Sequence, residues 1–476
     1  MTNTSNYSEN WEIVIGLEVH VQLSSKTKMF TASEWNYGDS PNTKICPITL
    51  GYPGTLPTIN DSAVRKGILI GLSLNCDINT LTKFARKHYF YPDLPKGYQI
   101  TQSDSPLCEN GYINLDSNKK VRIERAHLEE DAGKTIHTLE GTALIDYNRC
   151  GAPLLEIVSA PDMSSSEEAL NYLKSLKEII ISTKGSDCDM EKGNLRVDLN
   201  ISVNKRGDHE LGTRREVKNV NSFRNIEKAI NYEFEAQCTL LESGHLIKQE
   251  TLLWDDNNGV TKSIRSKEDA HDYRYFPEPD LPPLEISNDL VEEIRAMVPE
   301  LPSEIRMRLS KDYSISVEQI DFLVGNRELM DYYERVSSDN PENAKKYYNW
   351  ISIEIVKYLK DKKSQLSEFP ISPKEFKKLI DLEINNKISH SQAKDIYKKM
   401  LETGKLPDMD FSVTEDLREI EEFIELVLNK HKDEYDRLLA GETKLINFFM
   451  GQIMRESKGK YNPSSITDYL NKKFNN

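Results

Sequence analysis

The spacing of apolar residues changes once along this chain, at the segment Tyr275–Ile286. That segment, YFPEPDLPPLEI, contains four prolines, which cannot continue a helix or a central strand. Before it, apolar and polar residues mostly alternate, as they do in strands; after it, apolar residues recur at i, i+3 and i+4, as they do in helices. The sequence therefore predicts an α+β chain in which a strand-rich half precedes a helical half.

Two segments of the first half show the alternation most clearly. In WEIVIGLEVHVQL, Trp11–Leu23, every second residue is apolar, and Glu18 and His20 fall on the opposite face. Residues two apart on a strand point the same way, so these two side chains are expected about 7 Å apart. In RVDLNISV, Arg196–Val203, the polar face carries Asp198. Each segment is predicted to form a half-buried strand with a polar face.

Helices are predicted in both halves. SSSEEALNYLKSLKEIIIST, residues 164–183, opens with Ser/Glu capping chemistry and continues with helical spacing. The second half contains four such segments, at 341–363, 372–384, 389–405 and 414–431. A further break, GKLPDMDFS at Gly404–Ser412, divides that half in two. A chain of 476 residues is too long for one core, and two to four domains are expected.

Charge and targeting signals limit the possible functions. The net charge is −15, so indiscriminate binding of polyanions is disfavoured, and any nucleic acid must be bound by a local surface. The N-terminus has no signal-peptide pattern, and the chain has no uncharged apolar run of membrane-spanning length. Six cysteines occur without a C-x-x-C pair, which fits reduced thiols. We expect a soluble, intracellular protein.

The stretch HLEEDAGKTIH, His127–His137, permits two kinds of chemistry. Its Gly133-Lys134-Thr135 is the ending of a phosphate-binding P-loop, but such a loop needs a glycine at position 128, which is leucine. Three consecutive carboxylates, Glu129, Glu130 and Asp131, lie shortly before Gly133. They would repel a triphosphate in the absence of a cation. The same carboxylates are the kind of group that holds a divalent cation. The residues therefore disfavour the P-loop and leave the cation site as an alternative to ordinary surface acids.

Acidic residues interrupt several other strand-like runs. Glu156 is the most informative, because a lone charge inside PLLEIV is costly to bury without a partner. Acids from several strands together with one histidine suit Mg²⁺, which prefers oxygen ligands. Against this stands the interpretation that they are ordinary surface acids. Basic residues near the acids fit phosphoryl transfer, in which positive charge offsets that of the phosphate oxygens: Lys134, Arg149, Arg196, Lys218, Arg265 and Arg274.

Other site chemistries receive little support. Serine-based catalysis lacks a G-x-S-x-G elbow. Cys150, in NRCGAP, has no evident base beside it and is interpreted as structural. Cys46 has no second thiolate nearby that would make a zinc site.

Long motifs in fixed order resemble the GatB family of tRNA-dependent amidotransferases over nearly the whole chain. They are VIGLEVHVQL, YPDLPKGYQITQ, HLEEDAGK, APLLEIVSAPD, NLRVDLNISV, EVKNVNSF, HDYRYFPEPDL and FFMGQIMRESKGKYNP. The resemblance implies an antiparallel-sheet cradle catalytic domain over 1–290, a helical domain over 291–406 and a small YqeY-like helical tail over 407–476. The two breaks described above fall near those boundaries.

The resemblance also implies an activity. Members of the family act with an amidase subunit, GatA, and a small subunit, GatC, and convert Glu-tRNA(Gln) or Asp-tRNA(Asn) to the amide form. ATP first phosphorylates the side-chain carboxylate, and ammonia then attacks the acyl phosphate. The expected enzyme is thus a glutamine-hydrolysing ligase of the bacterial cytoplasm or of an organelle of bacterial descent. The chain itself contains no recognisable glutaminase machinery.

Site residues follow from the same resemblance. The Mg²⁺ ligands are expected to be Glu18, His20, Glu130, Glu156, Asp198 and Glu216. The residues expected to be catalytic are Glu130, Lys134, Arg196 and Lys218, with Glu129 and Asp131 as substitutes or neighbours of the ligands. The residues that contact ATP, and the choice between the two tRNA substrates, are left open.

The C-terminal tail is predicted to contact the tRNA body, mainly through phosphates and shape. Its basic residues are Lys444, Arg455, Lys458, Lys460, Lys472 and Lys473; the alternative is a solvated basic helix. Some relatives carry a zinc knuckle whose four positions are Thr31, Ser33, Cys46 and Thr49 here, so no zinc is predicted. Two other functions stay open, a non-catalytic tRNA-binding scaffold and a stand-alone metal-dependent phosphohydrolase.

Overall fold

The computed structural model shows two compact units, residues 1–302 and 303–476. It describes residues 7, 9–115, 119–138, 140–208, 210–266, 272–408, 417–440, 442, 444–457, 461 and 463–474. Each unit is described by itself below. The first is built on a large, mostly antiparallel sheet and the second from helices, so the predicted α+β class is confirmed.

The described strands, numbered in chain order, belong to the first unit. Strands β1 to β8 are Trp11–Gln22, Asp77–Ile78, Leu81–Thr82, Ala85–His88, Tyr98–Thr101, Cys108–Asn114, Lys120–Glu130 and Lys134–His137. Strands β9 to β16 are Ala143–Asp146, Pro153–Ser159, Leu195–Lys205, Arg215–Lys218, Glu250–Asp255, Val260–Ser266, Phe276–Pro277 and Leu284–Glu285.

The main sheet follows the order β14-β13-β12-β11-β1-β10-β7-β5-β4-β15, and β6 and β2 continue from β7 as a branch. Of the described strand pairs, β12 and β13 are parallel and the rest are antiparallel. Two separate pairs, β3 with β16 and β8 with β9, lie outside this sheet. The predicted strands of 11–23 and 196–203 are therefore neighbours, β1 and β11, at its centre.

Helices cover one face of the central strands. They are α1 (Asp61–Ser73), α2 (Ser166–Ser182), α3 (Phe223–Glu242) and α4 (Asn288–Arg295). The odd-numbered apolar residues of β1, such as Leu17 and Val19, are fully buried in one core with Tyr172 of α2 and Ile226 of α3. Each such aliphatic side chain contributes about 1.5–3 kcal/mol by leaving water. The even-numbered positions of β1 therefore form the opposite, uncovered face.

The predicted helix of residues 164–183 is confirmed as α2. The hydroxyl of Ser165 accepts a hydrogen bond from the backbone N–H of Glu168 at 3.1 Å and so caps the first turn. A cap of this kind is worth about 1 kcal/mol. The Ser/Glu pattern was thus sufficient to place the start of the helix.

The proline-rich segment Tyr275–Ile286 forms short edge strands instead of a plain break. Pro277 lies in β15, the last strand of the main sheet, where its missing N–H breaks no ladder hydrogen bond. The chain then enters α4, whose Val291 and Ile294 pack into the first core. The first compact unit consequently includes α4 and extends to residue 302.

The second unit contains two hydrophobic cores. Helices around the first are α5 to α11: Pro302–Asp312, Val317–Val324, Arg327–Ser337, Ala344–Trp350, Val356–Lys362, Pro373–Ile384 and His390–Thr403. A π-helical turn, Ile351–Ile355, joins α8 to α9, and 3₁₀ turns lie at Pro341–Asn343 and Leu366–Glu368. Helices around the second core are α12 to α15: Leu417–Lys430, Lys432–Leu439, Leu445–Glu456 and Pro463–Phe474.

The second predicted break falls between these two cores. Gly404 ends α11 with φ of +71°, a left-handed conformation that suits glycine at a helix end. Residues 409–416 of the break lie outside the described residues. Among the helices that are described, none combines the length and apolar content needed to cross a bilayer.

Candidate active site

The uncovered face of the sheet carries a row of polar residues from four neighbouring strands. His20 of β1 lies opposite Glu156 of β10 on one side and opposite Arg196 of β11 on the other. Glu156 in turn lies opposite His127 of β7. Directly opposed residues of an antiparallel pair have Cβ atoms about 5 Å apart. The strand register alone therefore brings together residues that are far apart in the sequence.

His20, Glu129 and Glu156 form the first group of potential metal ligands. Their ligand atoms all lie within 4.8 Å of one another. His20 Nε2 is 3.2 Å from Glu156 Oε2 and 3.7 Å from Glu129 Oε1. Glu129 joins the group because it follows His127 by two residues on β7 and so shares its face.

Neighbouring charges keep both acids of this group ionised. Burial acts to raise the pKa of Glu156, but His127 and His20 outweigh it and hold that pKa well below its usual range. For Glu129 burial acts in the same direction, and contact with the His127 ring and the charges of His20 and Lys87 lower the pKa. Burial acts to lower the pKa of His20, yet Glu156 and Glu129 raise it overall. Both carboxylates are therefore held in the ionised form that can bind a cation.

Glu18, Asp198 and Glu216 form a second group, whose ligand atoms also lie within 4.8 Å of one another. Glu18 of β1 lies opposite Asp198 of β11, and Glu216 of β12 lies opposite Asn200. Asn200 Nδ2 donates a hydrogen bond to Glu18 Oε1 at 2.9 Å. Thr251 Oγ1 donates to Glu216 Oε2 at 2.9 Å. Glu18 and His20 are two residues apart on β1, so the two groups lie side by side.

A lysine lies between two acids of the second group. Lys218 Nζ is 2.5 Å from Asp198 Oδ2 and 2.7 Å from Glu216 Oε1. Burial acts to lower the pKa of Lys218, but the two carboxylates outweigh it and raise that pKa. The Lys218 ammonium reduces the repulsion between the carboxylates of Asp198 and Glu216. A bound divalent cation would reduce the same repulsion.

The donor chemistry of both groups fits Mg²⁺. Carboxylate oxygens are the ligands this ion prefers, and it keeps positions for water and phosphate oxygens. In the first group, the buried carboxylates of Glu129 and Glu156 lie close enough to repel one another. Beside them, Nδ1 of His127 is buried without a hydrogen-bond partner among the described residues. A buried acidic pair next to an unsatisfied ring nitrogen is consistent with a site built for a cation.

The two groups open into one cavity of about 810 Å³, lined by His20, Glu156 and all three acids of the second group. Glu129 lines an adjoining cavity of about 340 Å³, which shares His20, Lys87 and Tyr91 with the larger one. Sequence reasoning missed several residues of the larger cavity: Lys87, Tyr91, Arg125, His127, Arg214 and Thr251. For His127 the signal was present, since it precedes Glu129 by two residues on a strand.

Glu130 lies apart from both groups, contrary to the expectation that it is a metal ligand. Strand alternation turns it away from Glu129, and its carboxylate pairs with Lys96 and accepts a hydrogen bond from the backbone N–H of Ile100 at 3.0 Å. The Glu130 carbonyl accepts a further bond from Gln99 Nε2 at 2.7 Å. We therefore replace Glu130 by Glu129 in the ligand set.

Lys134 also lies away from the larger cavity. It is exposed in β8 and lines a different cavity of about 680 Å³, together with Trp35 and Lys192. Because Gly133 and Lys134 lead into a strand and not into a helix, the segment lacks the geometry of a P-loop. The interpretation of GKT as an imitation of a P-loop agrees with this arrangement.

Arg196 connects the cavities through Asp131. Its Nη2 is 2.9 Å from Asp131 Oδ2, and Arg149 Nε is 3.4 Å from the same oxygen. The charge of Asp131 raises the pKa of Arg196. Both arginines line the 340 Å³ and 680 Å³ cavities. Arg196 is therefore held beside His20 but bound to an acid outside either ligand group.

The four positions of the zinc knuckle lie together around one sulfur. Cys46 Sγ is 3.4 Å from Thr49 Oγ1, and hydroxyls of Ser33 and Thr31 also contact it. Burial acts to raise the pKa of Cys46, but these hydrogen bonds lower it to about 7. One thiol and three hydroxyls are a poor ligand set for zinc. Cys150 is buried, and its burial raises the pKa of its thiol to about 12.

Comparisons with known proteins agree with this architecture. Residues 13–292 match the family model of the GatB/GatE catalytic domain, and residues 331–474 match that of the GatB domain related to YqeY. The B subunit of the aspartyl/glutamyl-tRNA(Asn/Gln) amidotransferase of Persephonella marina is 44% identical over 469 residues, which cover 97% of this chain and 98% of that protein. The corresponding subunits of Thermodesulfovibrio yellowstonii and Caldicellulosiruptor bescii are each 43% identical with the same coverage.

Proposed function

This chain belongs to the GatB family of amidotransferase subunits, and from that membership we propose that it phosphorylates and then amidates an amino acid carried by tRNA. The substrate is Glu-tRNA(Gln) or Asp-tRNA(Asn), and the phosphoryl donor is ATP. The observation that carries this proposal is the pair of acidic groups on one sheet face that open into one cavity. The enzyme class is a glutamine-hydrolysing ligase that acts on aminoacyl-tRNA.

The chemistry needs two steps because a free carboxylate is a poor electrophile. In the first, a side-chain carboxylate oxygen attacks the γ-phosphorus of ATP, the bond to the β-phosphate oxygen breaks, and ADP leaves. In the second, ammonia attacks the carbonyl carbon of the acyl phosphate, and inorganic phosphate leaves as the amide forms. Little covalent chemistry falls to the protein in the first step, so positioning and charge stabilisation supply most of the catalysis.

Mg²⁺ would be held by His20, Glu129 and Glu156 and by Glu18, Asp198 and Glu216, and when bound it offsets negative charge on the phosphate oxygens. These residues lie on neighbouring strands of one sheet, a rigid support that keeps their spacing fixed.

The basic residues of the cavity bind and orient phosphate. Lys87 and Arg214 line its wall, and Lys218 reaches it from the second group. In the structure Lys218 is bound to Asp198 and Glu216. Release from these two acids frees its ammonium to contact oxygens of the transferred phosphoryl group. Arg196, which lies opposite His20 on β11, is bound to Asp131 and so keeps its positive charge beside the first group.

Ammonia must come from elsewhere, because it is mostly protonated in neutral water and an ammonium ion is not a nucleophile. We assign its supply to a GatA amidase subunit in a complex that also contains GatC. The proposed division of this chain is a catalytic domain over 1–290, a helical domain over 291–406 and a YqeY-like tail over 407–476. The proposed location is the bacterial cytoplasm.

The tail is proposed to contact the tRNA body. Lys444, Arg455 and Lys472 are exposed and available for phosphate contacts. Lys473 is half-buried and pairs with Glu425, so its contribution is smaller. Lys458 and Lys460 lie outside the described residues.

The test uses the purified three-subunit complex with mischarged tRNA, ATP, Mg²⁺ and glutamine. Glu156→Gln keeps the shape of the side chain and removes its charge, and we expect ADP formation to fall by about 10²-fold or more. Glu124→Gln, an exposed acid on β7, is the matched control. Glutamine hydrolysis by the complex should persist in both variants.

Three outcomes would overturn the proposal. Unchanged ADP formation in Glu156→Gln, with amide product still forming, would indicate a scaffold without a catalytic role. Hydrolysis of phosphate esters by the isolated chain, without tRNA or partners, would indicate a phosphohydrolase. Absence of tRNA-dependent ADP formation in the wild-type complex would exclude the proposed reaction.

A further inference from the structure

Four tyrosines form a continuous aromatic surface beside the acidic groups. Ring centroids are 6.0 Å apart for Tyr91 and Tyr89, 6.2 Å for Tyr89 and Tyr273, and 6.0 Å for Tyr273 and Tyr275. All three pairs meet edge to face, an arrangement favoured by the charge distribution of aromatic rings. We call these four residues the tyrosine wall.

Backbone contacts hold the two halves of the wall together. The N–H of His88, at the end of β4, donates a hydrogen bond to the carbonyl of Tyr273 at 2.8 Å. The His88 ring also stacks on Phe276 of β15, with centroids 4.9 Å apart. Between Tyr273 and Tyr275 the chain turns at Arg274, whose φ of +43° lies in the left-handed region. A non-glycine residue in that region is strained by about 1 kcal/mol or more, which indicates that the turn is imposed by its surroundings.

The wall is not part of a core. Tyr91 is 56% exposed and Tyr275 is 46% exposed, whereas Tyr172 in the core beneath the sheet is fully buried. Tyr91, Tyr273 and Tyr275 line the same 810 Å³ cavity as the acidic groups. Most of the other residues that line this cavity are charged or polar. The half-exposed rings of Tyr91 and Tyr275 can therefore be reached from this cavity by a flat, apolar ligand group.

A cationic side chain contacts the wall and lines the cavities of the acidic groups. Lys87 Nζ is 5.0 Å from the centroid of the Tyr273 ring. Lys87 also lines both the 810 Å³ cavity and the 340 Å³ cavity that contains Glu129. The cavity thus presents an aromatic surface, a positive charge and a cluster of metal-type ligands. An adenine nucleotide presents a flat base, a sugar and phosphates in a matching order.

We propose that the tyrosine wall is a stacking platform for an adenine base. The inference rests on the proposed function, in which two substrates carry adenine: ATP, and the aminoacylated 3′-terminal adenosine of the tRNA. Bases stack on tyrosine rings through dispersion and exclusion of water, without requiring hydrogen-bond readout. A stacked base would anchor its nucleotide while the phosphate or the aminoacyl group reaches the acidic groups.

Kinetics of the three-subunit complex distinguish the two sources of adenine. We expect Tyr91→Ala and Tyr275→Ala, made separately, to raise one KM by roughly ten- to a hundredfold, as loss of a stacked base does. A rise in the KM for ATP identifies the nucleotide as the ligand, and a rise in the KM for Glu-tRNA(Gln) identifies the tRNA end. Tyr91→Phe and Tyr275→Phe keep the ring and should restore most of the affinity.

Direct binding tests the platform without catalysis. AMP and ribose 5-phosphate are titrated into the complex by calorimetry, since they differ only in the base. We expect AMP to bind more tightly than ribose 5-phosphate to the wild type, and each alanine variant to lose that difference. Tyr52→Ala is the matched control, because Tyr52 is 57% exposed and does not line the cavity. Circular dichroism and gel filtration establish that each variant folds and assembles.

Equal affinities of the wild type for AMP and ribose 5-phosphate, together with unchanged KM values in the alanine variants, would overturn the platform. Phenylalanine variants as impaired as the alanine variants would also overturn it, since a hydroxyl group would then be responsible. Failure of the proposed function has a different signature, the absence of tRNA-dependent ADP formation in the wild type. In that case the binding comparison alone still decides whether the wall holds adenine.

Discussion

The ammonium of Lys218 lies 2.5 Å from a carboxylate oxygen of Asp198, within a group of three acids that has the geometry of a cation site. The same ammonium is 2.7 Å from Glu216. One positive charge is thus already held between two of the acids, and a divalent cation must compete with it. We propose that this competition couples occupation of the site to the availability of Lys218 for phosphate.

Lys218→Met removes the competing charge. We expect the affinity of the chain for Mn²⁺ to increase about tenfold, because Asp198 and Glu216 then repel one another unless a cation binds. Phosphorylation should nevertheless slow by about 10²-fold, because the variant lacks the positive charge that contacts the phosphoryl oxygens.

A Mn²⁺ titration followed by electron paramagnetic resonance measures the change in affinity, and ADP formation measures the change in phosphorylation rate. Lys228→Met, at an exposed pair with Asp256, is the control. Weaker Mn²⁺ binding in Lys218→Met would show that the lysine supports the site and does not compete with it.

Glu129 and Glu130 are adjacent but predicted to behave differently. Glu129→Gln removes one potential ligand beside His20 and should weaken Mn²⁺ binding by at least about tenfold. Glu130→Gln should leave that affinity within about twofold, but it disrupts the buried pair with Lys96 and should lower the melting temperature. The same resonance titration and a thermal melt separate the two effects. A larger loss of Mn²⁺ affinity in Glu130→Gln than in Glu129→Gln would restore Glu130 to the ligand set.

Cys46 should be the most reactive thiol among the described residues near neutral pH. Its hydrogen bonds lower the pKa from 9.0 to about 7, whereas burial raises the pKa of Cys76 and Cys150 to about 12. Alkylation by iodoacetamide requires the thiolate, so its rate should rise with pH to a midpoint of about 7. The folded chain binds the thiol proton of Cys46 less tightly than the unfolded chain does. The hydrogen bonds to the thiolate therefore add nothing to the free energy of unfolding below pH 7, and their contribution grows between pH 7 and pH 9.

Mass spectrometry of the labelled peptide over a pH series measures that midpoint. Thr49→Val removes one hydroxyl contact with the sulfur and should move the midpoint towards 9.0. A wild-type midpoint at the ordinary value, unaffected by Thr49→Val, would contradict the proposed environment of Cys46.

The buried pair of Arg86 and Glu278 is expected to stabilise the edge of the main sheet. Arg86 Nε and Nη2 donate hydrogen bonds of 2.8 and 2.9 Å to the two oxygens of Glu278, whose side chain is fully buried. Glu278→Ala leaves the guanidinium without its main partner and should cost about 3–5 kcal/mol. Asp61→Ala, which breaks an exposed pair with Arg65, should cost less than about 1 kcal/mol. Thermal melts of the two variants make the comparison, and equal melting temperatures would contradict it.

Strand periodicity predicted much of the site. The alternation in Trp11–Leu23 placed Glu18 and His20 on one face, and that in Arg196–Val203 placed Asp198 on the corresponding face of another strand. These predictions need only local geometry, because residues two apart on a strand share a face. The α+β class followed from the same reasoning, once the change of period at the prolines was recognised.

Strand order and register could not be predicted in this way. Glu156 lies opposite His20 because β10 pairs with β1, and that pairing is set by the packing of the whole sheet. The choice between Glu129 and Glu130 could have been made from the sequence pattern, since Glu129 and not Glu130 is two residues from His127 and shares its face of β7. Tyr89 and Tyr91 belong to a turn-rich stretch whose residues have no periodicity, and their contact with Tyr273 depends on tertiary structure alone.

The proposed chemistry depends most directly on whether divalent cations bind at the two acidic groups. Crystals of the three-subunit complex soaked with Mn²⁺ and a non-hydrolysable ATP analogue would locate them by anomalous diffraction. We predict one peak in contact with His20, Glu129 and Glu156, a second among Glu18, Asp198 and Glu216, and a phosphate of the analogue beside them. A map with no peak at either group, or with its peak at Glu130, would contradict the proposed site.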